Sequence, residues 1–414
     1  MKKQSNTPQI RFHNYKELWE CDRLKNIFRT IRNAFVGTAT PYYVEEGHFY
    51  LESNNVKNGK INYNSQIFIN DEFYEKQRDK WLKTNDIVMV QSGHVGHTAV
   101  IPKELNNTAA HALIVFTDYK KEVNPHFLNY QFQSSSKRKE INLISTGNTI
   151  KHILASEMKS FKMDFPTVEE QSAIGSLFRT LDDLLTSYKD NLANYQSLKA
   201  AMLSKMFPKA GQTIPEIRLD GFKGEWEINK LNKYLTVSKQ KNTQLKFDKD
   251  DVLSVSGEFG IINQIQFQGR SFAGASVEMY SIVDTGNIVY TKSPLKANPY
   301  GIIKTNYGIP GIVSTLYAVY LPNENVFPGF VERYFENDLR LNSYLKPLVN
   351  KGAKNDMKVS DENALLGAVI FPQLEEQVAI SDYFTNLDKF IQSHKDKISQ
   401  LETLKKKLLQ DMFI

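Results

Sequence analysis

Residues 165–208 return at 371–414 without a gap, as FPTVEEQSAIGSLFRTLDDLLTSYKDNLANYQSLKAAMLSKMFP and then FPQLEEQVAISDYFTNLDKFIQSHKDKISQLETLKKKLLQDMFI, identical at 18 of 44 positions. A second pair of blocks precedes them. Thr7–Leu24 and Ile214–Leu231 align without gaps and share Pro8/Pro215, Ile10/Ile217, Arg11/Arg218, Lys16/Lys223, Trp19/Trp226, Glu20/Glu227 and Leu24/Leu231. The offset is 207 for the first pair and 206 for the second, so one repeating unit is half of the 414-residue chain. That period far exceeds the roughly 20–50 residues of a solenoid repeat, and it marks a domain duplication. Such a chain can build a pseudo-two-fold object from one polypeptide.

The later block reads as a long helix. Phe165-Pro166 sets an extended entry, because proline restricts the residue before it. Thr167–Glu170 has the S/T-x-x-E form of a capping box; in the second copy Gln373 replaces the threonine and only the acidic first turn, Glu375 and Glu376, remains. A heptad seam follows at Leu181, Leu185, Tyr188, Leu192, Tyr195, Lys199, Met202 and Met206. The second copy gives Leu387, Ile391, His394, Ile398, Leu401, Lys405, Leu408 and Met412. Lysine interrupts both seams at the same place, and the neighbouring Leu198 and Leu404 are positions onto which a straight helix drifts. Each helix of about 40 residues extends roughly 60 Å at ~1.5 Å per residue. Neither can bury its stripe alone. The simplest partner is the other copy, giving an intramolecular antiparallel coiled coil; two separate helices packed on their own domains or on another protein is the competing arrangement.

The remaining chain suffices for two cores of ~150 residues plus helical connectors. With 41% apolar and 24% charged residues the composition is that of a globular protein, and the 25 Phe and 20 Tyr favour well-filled β-rich cores. Apolar runs such as Leu365–Phe371 fall far short of the roughly 18 residues needed to span a bilayer. The opening MKKQSNTPQ lacks an apolar signal core, so no membrane role and a cytoplasmic location are expected. One cysteine, Cys21, excludes an internal disulfide and a multi-cysteine metal site. A net charge of +6 suits a protein that touches phosphates over part of its surface. The expected organisation is therefore α+β: two mixed domains at 1–164 and 209–370 in tandem pseudo-two-fold repeat, separated by spacer helices at 165–208 and 371–414.

Short strands are expected at Ile67–Ile69, Ile87–Val90, Thr98–Ile101, Val252–Val255, Ile288–Tyr290 and Gly311–Tyr320, and helices near Pro125–Ser135 and Phe327–Asn342. Corresponding segments close the two regions, Ser145–Lys151 and Lys351–Lys358, but the middles barely match. A repeated frame with diverged centres points to one architecture aimed at two ligands. In both halves a turn and a β-branched strand lead into a polar, glycine-containing loop: Val90–Pro102 after Asn85–Val88, and Tyr290–Lys304 after Gly286–Val289.

Catalytic signatures are missing. Asn298-Pro299-Tyr300 lacks the second proline of the amino-methyltransferase N/D-P-P-Y/F motif, and there is neither a G-x-G-x-x-G cofactor loop nor a G-x-x-x-x-G-K-[ST] nucleotide loop. His94 and His97 form an H-x-x-H pair without nearby acidic partners, which favours base or phosphate contact, or plain loop polarity, over metal. Asp248, Asp250 and Asp251 read as a solvated acidic run.

Two variable domains, each followed by a helix opening FPxxEEQ and ending Kxx[LM]LxxMF, resemble the specificity subunit of type I restriction–modification enzymes. The PxIR…W entries at Pro8–Trp19 and Pro215–Trp226 and the loop YTKSPLKANPYGI look like segments of that family. The resemblance spans essentially the whole chain. It implies a subunit that is not itself catalytic and needs no cofactor of its own. Each target recognition domain would read half of a split double-stranded DNA sequence in the major groove, and the coiled coil would set the unread spacer. Two methyltransferase subunits would dock on the helices. Restriction–translocase subunits would join them, bringing S-adenosylmethionine, ATP and Mg2+ for N6-adenine methylation and ATP-dependent cleavage. A ~60 Å rod exceeds one ~34 Å turn of DNA. Candidates for base-edge contact are Gln91, Ser92, His94 and His97 in the first domain and Lys292, Ser293, Lys296 and Asn298 in the second. Lys292, Lys296 and Lys304 suit phosphate, Arg11 and Arg218 suit phosphate or the shared frame, and Trp19 and Trp226 suit core anchors. The rival classes are a coiled-coil interaction scaffold that binds no DNA, and an enzyme such as a nuclease or fused methyltransferase.

Overall fold

The computed structural model describes residues 7–147, 150–351 and 357–414; Asn148, Thr149 and 352–356, inside the two matched closing segments, lie outside the described residues. The chain forms two compact units. One is the chain up to Asp190 together with Asp396–Ile414, and the other is Asn191–Lys395.

The first unit is built on a four-stranded antiparallel sheet in the order Phe28–Asn33, Leu113–Tyr119, Ile87–Val90, Thr98–Val100. The run IVMV at Ile87–Val90 is buried at every position, because this inner strand is covered on both faces. Beside it lies a small sheet with Ala109–Ala110, His48–Leu51, Phe68–Ile69 and Tyr43–Val44, wrapped around Tyr50 and Phe73.

The second unit has the same main sheet: Leu235–Val237, Tyr317–Pro322, Ile288–Thr291, Ile303–Thr305, again all antiparallel and again with a fully buried inner strand. The expected single strand Gly311–Tyr320 is two, Gly311–Val313 and Tyr317–Pro322, which pair with different neighbours. The helix expected near Pro125–Ser135 is present and is followed by a second, and the one expected near Phe327–Asn342 is two. The first unit has Pro125–Gln133 and Ser135–Ile144, with Ser134 Oγ accepting from Lys137 N; the second has Pro328–Phe335 and Asp338–Leu345, with Asn337 Oδ1 accepting from Arg340 N. Ser134 and Asn337 are cap residues, and a side chain that satisfies the orphaned N–H groups of a new helix restarts the helix there.

The repeated blocks meet at a two-stranded ribbon in each unit. Glu20–Arg23 pairs with Lys162–Phe165, and Glu227–Lys230 pairs with Ala368–Phe371, in matching registers with Glu20 opposite Phe165 and Glu227 opposite Phe371. The ribbons lead into 38-residue helices at Val168–Lys205 and Leu374–Asp411. In the first unit the start of one helix runs antiparallel to the end of the other, shown by Asp182–Lys405 and Lys189–Glu402, each 2.6 Å. The second unit repeats the arrangement with the roles exchanged, through Lys199–Asp388 at 2.6 Å and the edge-on ring pair Tyr195–His394. Seam residues Leu181, Leu185, Leu387 and Leu401 are buried, and Tyr188, Leu192, Tyr195, Met202, Ile391, His394, Ile398 and Leu408 are half-buried. The drift onto Leu198 and Leu404 does not occur: these are 39% and 44% exposed. Lys199 and Lys405 hold the seam because each has a carboxylate to meet.

Candidate nucleic-acid interface

The frame that positions the variable loops is assembled by the repeated motifs. Arg11 Nε and Nη2 donate to the two carboxylate oxygens of Glu170 at 2.8 and 2.7 Å, and Arg218 meets Glu376 in the same fork at 2.8 and 2.6 Å. Glu170 is therefore diverted from the expected capping box, of which only the Thr167 Oγ1 half forms, at 3.4 Å. The following glutamines do a second task. Gln171 Oε1 accepts from Asn124 N and Gln377 Oε1 from Phe327 N, while their Nε2 atoms donate to Pro166 O and Pro372 O. Each spacer helix is thereby bolted to the N-terminus of the inner helix of its domain.

Matched aromatic clusters fill the junctions. Trp19 packs edge-on against Phe127 and Phe413, and Trp226 against Phe330 and Phe207; all are buried. Ile10 N donates to Asp411 O, as Ile217 N does to Lys205 O, so each PxIR entry satisfies a carbonyl in the last turn of a spacer helix. Arg11 and Arg218 have their guanidinium groups taken by carboxylate and backbone oxygens, which puts them in the frame.

In the first unit the loop after the inner strand is pinned at both ends. Gly93 N donates to Lys151 O, Ile153 N to Gln91 O and Gly96 N to Val90 O. Gly93 and Gly96 have φ of 78° and 83°, and a Cβ on Gly96 would meet Ile141 Cγ2 at 2.9 Å, so the turn needs glycine there. Gln91 and Ser92 are half-buried beside this backbone network, and His94 projects into solvent. His97 lies edge-on to His94 at 6.1 Å, and its Nδ1 accepts from Asn58 N. Burial, reinforced by the nearby positive groups Arg138, His94 and Lys57, pushes its pKa below the ordinary imidazole value. His94, His97, Asn142, Lys151 and Arg138 line one cavity of about 260 Å³. Sequence reasoning missed Arg138, since it lies some 40 residues past the loop and belongs to no motif. Among the described residues no cluster of His, Cys, Asp and Glu could hold a metal ion.

The second loop is less free than expected. Asn298 is buried, donates from Nδ2 to Asp338 Oδ1 at 2.8 Å, and its carbonyl receives Leu295 N and Gly301 N. Lys304 pairs with the buried Glu332 at 3.2 Å and its side chain is only 11% exposed. These partners hold both side chains, which were expected to face DNA, against the domain itself. Lys292 is paired with Asp361 at 2.9 Å. Ser293 is half-buried, and Lys296 lies at the exposed tip beside Leu295. The acidic run is not idle either. Asp248 and Asp251 form reciprocal caps on a short 3-10 turn.

Residues 17–195 match the family model described as "Type I restriction modification DNA specificity domain". The chain is 20% identical over 429 aligned positions to the type I restriction enzyme MjaVIII specificity subunit of Methanocaldococcus jannaschii, covering 98% of this chain and 95% of the relative. It is 23% identical over 210 positions to the EcoBI specificity subunit of Escherichia coli, covering 49% of this chain and 44% of that one. Among solved structures, the S subunit of a type I restriction–modification system from M. genitalium has the same fold, with a TM-score of 0.60 at 16% identity over 99% of both chains. The family model lies on the first half, and the repeated blocks and the matched sheets carry the same frame into the second. The chain is similar over almost its whole length to specificity subunits of type I restriction–modification enzymes, and much of its first half matches their DNA specificity domain.

Proposed function

We propose that this chain directs a type I restriction–modification complex to a split DNA target, with each variable region, 1–164 and 209–370, contacting one half. The observation that supports the reading most is the contrast inside the repeat. The two units share sheet order, ribbon register and arginine–glutamate fork, yet differ in what they present past the inner strand: Gln91, Ser92, His94 and His97 in one, Ser293 and Lys296 in the other. A common frame holding unlike polar loops is what two different base sequences require. The paired helices, with their charged outer faces, are the surface on which two methyltransferase subunits dock, and they set the unread spacer. The chemistry belongs to the partners: adenine N6 methylation with S-adenosylmethionine, and cleavage and translocation with ATP and Mg2+, all in the cytoplasm. Among the described residues no helix is long and apolar enough to cross a membrane.

Modified-base sequencing of DNA from cells that carry this chain with a methyltransferase partner tests the reading. A methylated motif in two parts separated by a fixed gap is the expected result. A continuous motif, or methylation that ignores the chain, overturns it, and a complex that assembles without ever binding duplex supports the scaffold reading instead.

A further inference from the structure

Arg138 lies on the helix Ser135–Ile144 of the first unit, next to a lysine with the opposite fate. Lys137 is buried and paired with Asp164 at 2.8 Å and Glu140 at 3.2 Å. Arg138 is exposed, and among the described residues its side chain has no carboxylate and no other hydrogen-bond acceptor. A guanidinium that projects into solvent without a protein acceptor is open to an anion.

Its surroundings favour such an anion. On one side Arg138 lines the cavity of the His94–His97 loop with Lys151. On the other it lines a groove of about 590 Å³ whose walls include Lys57, Lys60, Lys189, Lys405 and Lys406. The acids that line that groove among the described residues, Asp182 and Glu402, are already matched by Lys405 and Lys189. Among the described residues, no carboxylate pairs with Lys57, Lys60, Arg138, Lys151 or Lys406. Arg138 is the one residue common to both depressions, so these cations form one band that passes through it. A band of fixed positive charge beside a polar recognition loop matches a polyanion with regularly spaced charges.

We propose that Arg138 anchors a backbone phosphate of duplex DNA next to the His94–His97 loop, with Lys57 and Lys151 flanking it, and that this contact fixes the position of the loop without reading bases. The inference rests on the DNA-binding reading above. Arg138 offers a planar two-pronged donor that meets two phosphate oxygens at once. Arg138 stands four residues past the cap Ser134; four past the cap Asn337 the second unit has the buried Leu341, so the anchor belongs to the first unit.

The test is equilibrium binding of the full chain to mixed-sequence duplexes over a salt series, comparing wild type with Arg138→Gln, Arg138→Lys and Lys57→Gln. Arg138→Gln is expected to weaken binding about tenfold on every duplex and to reduce the log–log salt slope by roughly one unit; Arg138→Lys recovers part of the loss, and Lys57→Gln gives a smaller loss of the same kind. An unchanged thermal midpoint shows that the fold is intact, and Lys57→Gln carries the test if Arg138→Gln fails this check. Wild-type chain that binds no duplex overturns the DNA-binding reading itself. Wild-type binding with unchanged affinity and slope in both variants overturns the anchor alone. A changed sequence preference at constant slope makes Arg138 a base reader, and loss of a protein partner with DNA binding intact makes the band an acidic-protein site; both overturn the inference.

Discussion

Arg11 and Arg218 each place a guanidinium fork against a carboxylate that is almost sealed from solvent, Glu170 at 0% and Glu376 at 3% side-chain exposure. Removing the arginine would strand a buried charge. Arg11→Met is expected to cost about 3–5 kcal/mol in urea unfolding, and Arg11→Met with Glu170→Leu should recover much of it. Arg11→Lys should fall between, because an ammonium cannot reproduce the fork. A second test concerns pH. His111 is held above the ordinary imidazole value by its bond to Glu52, against the opposing effect of burial, with Gly37 O as a further partner. A raised folded-state pKa contributes stability that is full below the unfolded value of ~6.5 and disappears as pH rises through the folded value. The stability difference between wild type and His111→Gln should therefore shrink as pH climbs from 6 to 9. The recurrence of Arg11 and Arg218 pointed to a shared role, but Glu170 looked like half of a capping box. Nothing local says that an arginine 159 positions away outcompetes the helix end for that carboxylate.

At the scale of elements, the helices carry a reciprocal device. Asp182 and Lys199 recur as Asp388 and Lys405 at the same offset, and each lysine finds the other helix's aspartate. The two sites differ in support. Asp182 has Tyr130 Oη as its other side-chain partner, whereas Asp388 also meets Arg333, which with Glu336 completes a four-membered charge network around Lys199. Lys405→Met should thus destabilise the chain more than Lys199→Met by about 1–2 kcal/mol, since it removes the cation bonded to the buried Asp182 carboxylate, whereas Asp388 keeps Arg333. Chemical denaturation of both variants checks the order. The heptad spacing showed which residues face inward, and the buried stripe follows it closely. It did not show why lysine interrupts both stripes, because the reason is an aspartate on another helix.

For the whole molecule, the repeat means that each half is a complete frame around an independent set of loops. If the proposed function holds, exchanging 1–164 for the matching region of a similar specificity subunit should change one half of the methylated motif and leave the other intact, as read by modified-base sequencing. The loop chemistry resisted sequence reading most. Lys292, Asn298 and Lys304 look as available as Lys296 in one dimension, yet Asp361, Asp338 and Glu332 arrive from 28 to 69 positions away to pair with them, and Arg138 is left open by the same process.

Duplication, helix period, inner strands and the matched aromatic anchors were set by the sequence alone, because each depends on spacing between near neighbours or on a motif that recurs. Which charged side chains stay available to a ligand was decided only by the tertiary structure. A cation is committed or free according to whether a distant acid is folded against it, and that pairing depends on how non-adjacent elements meet, which no local pattern records.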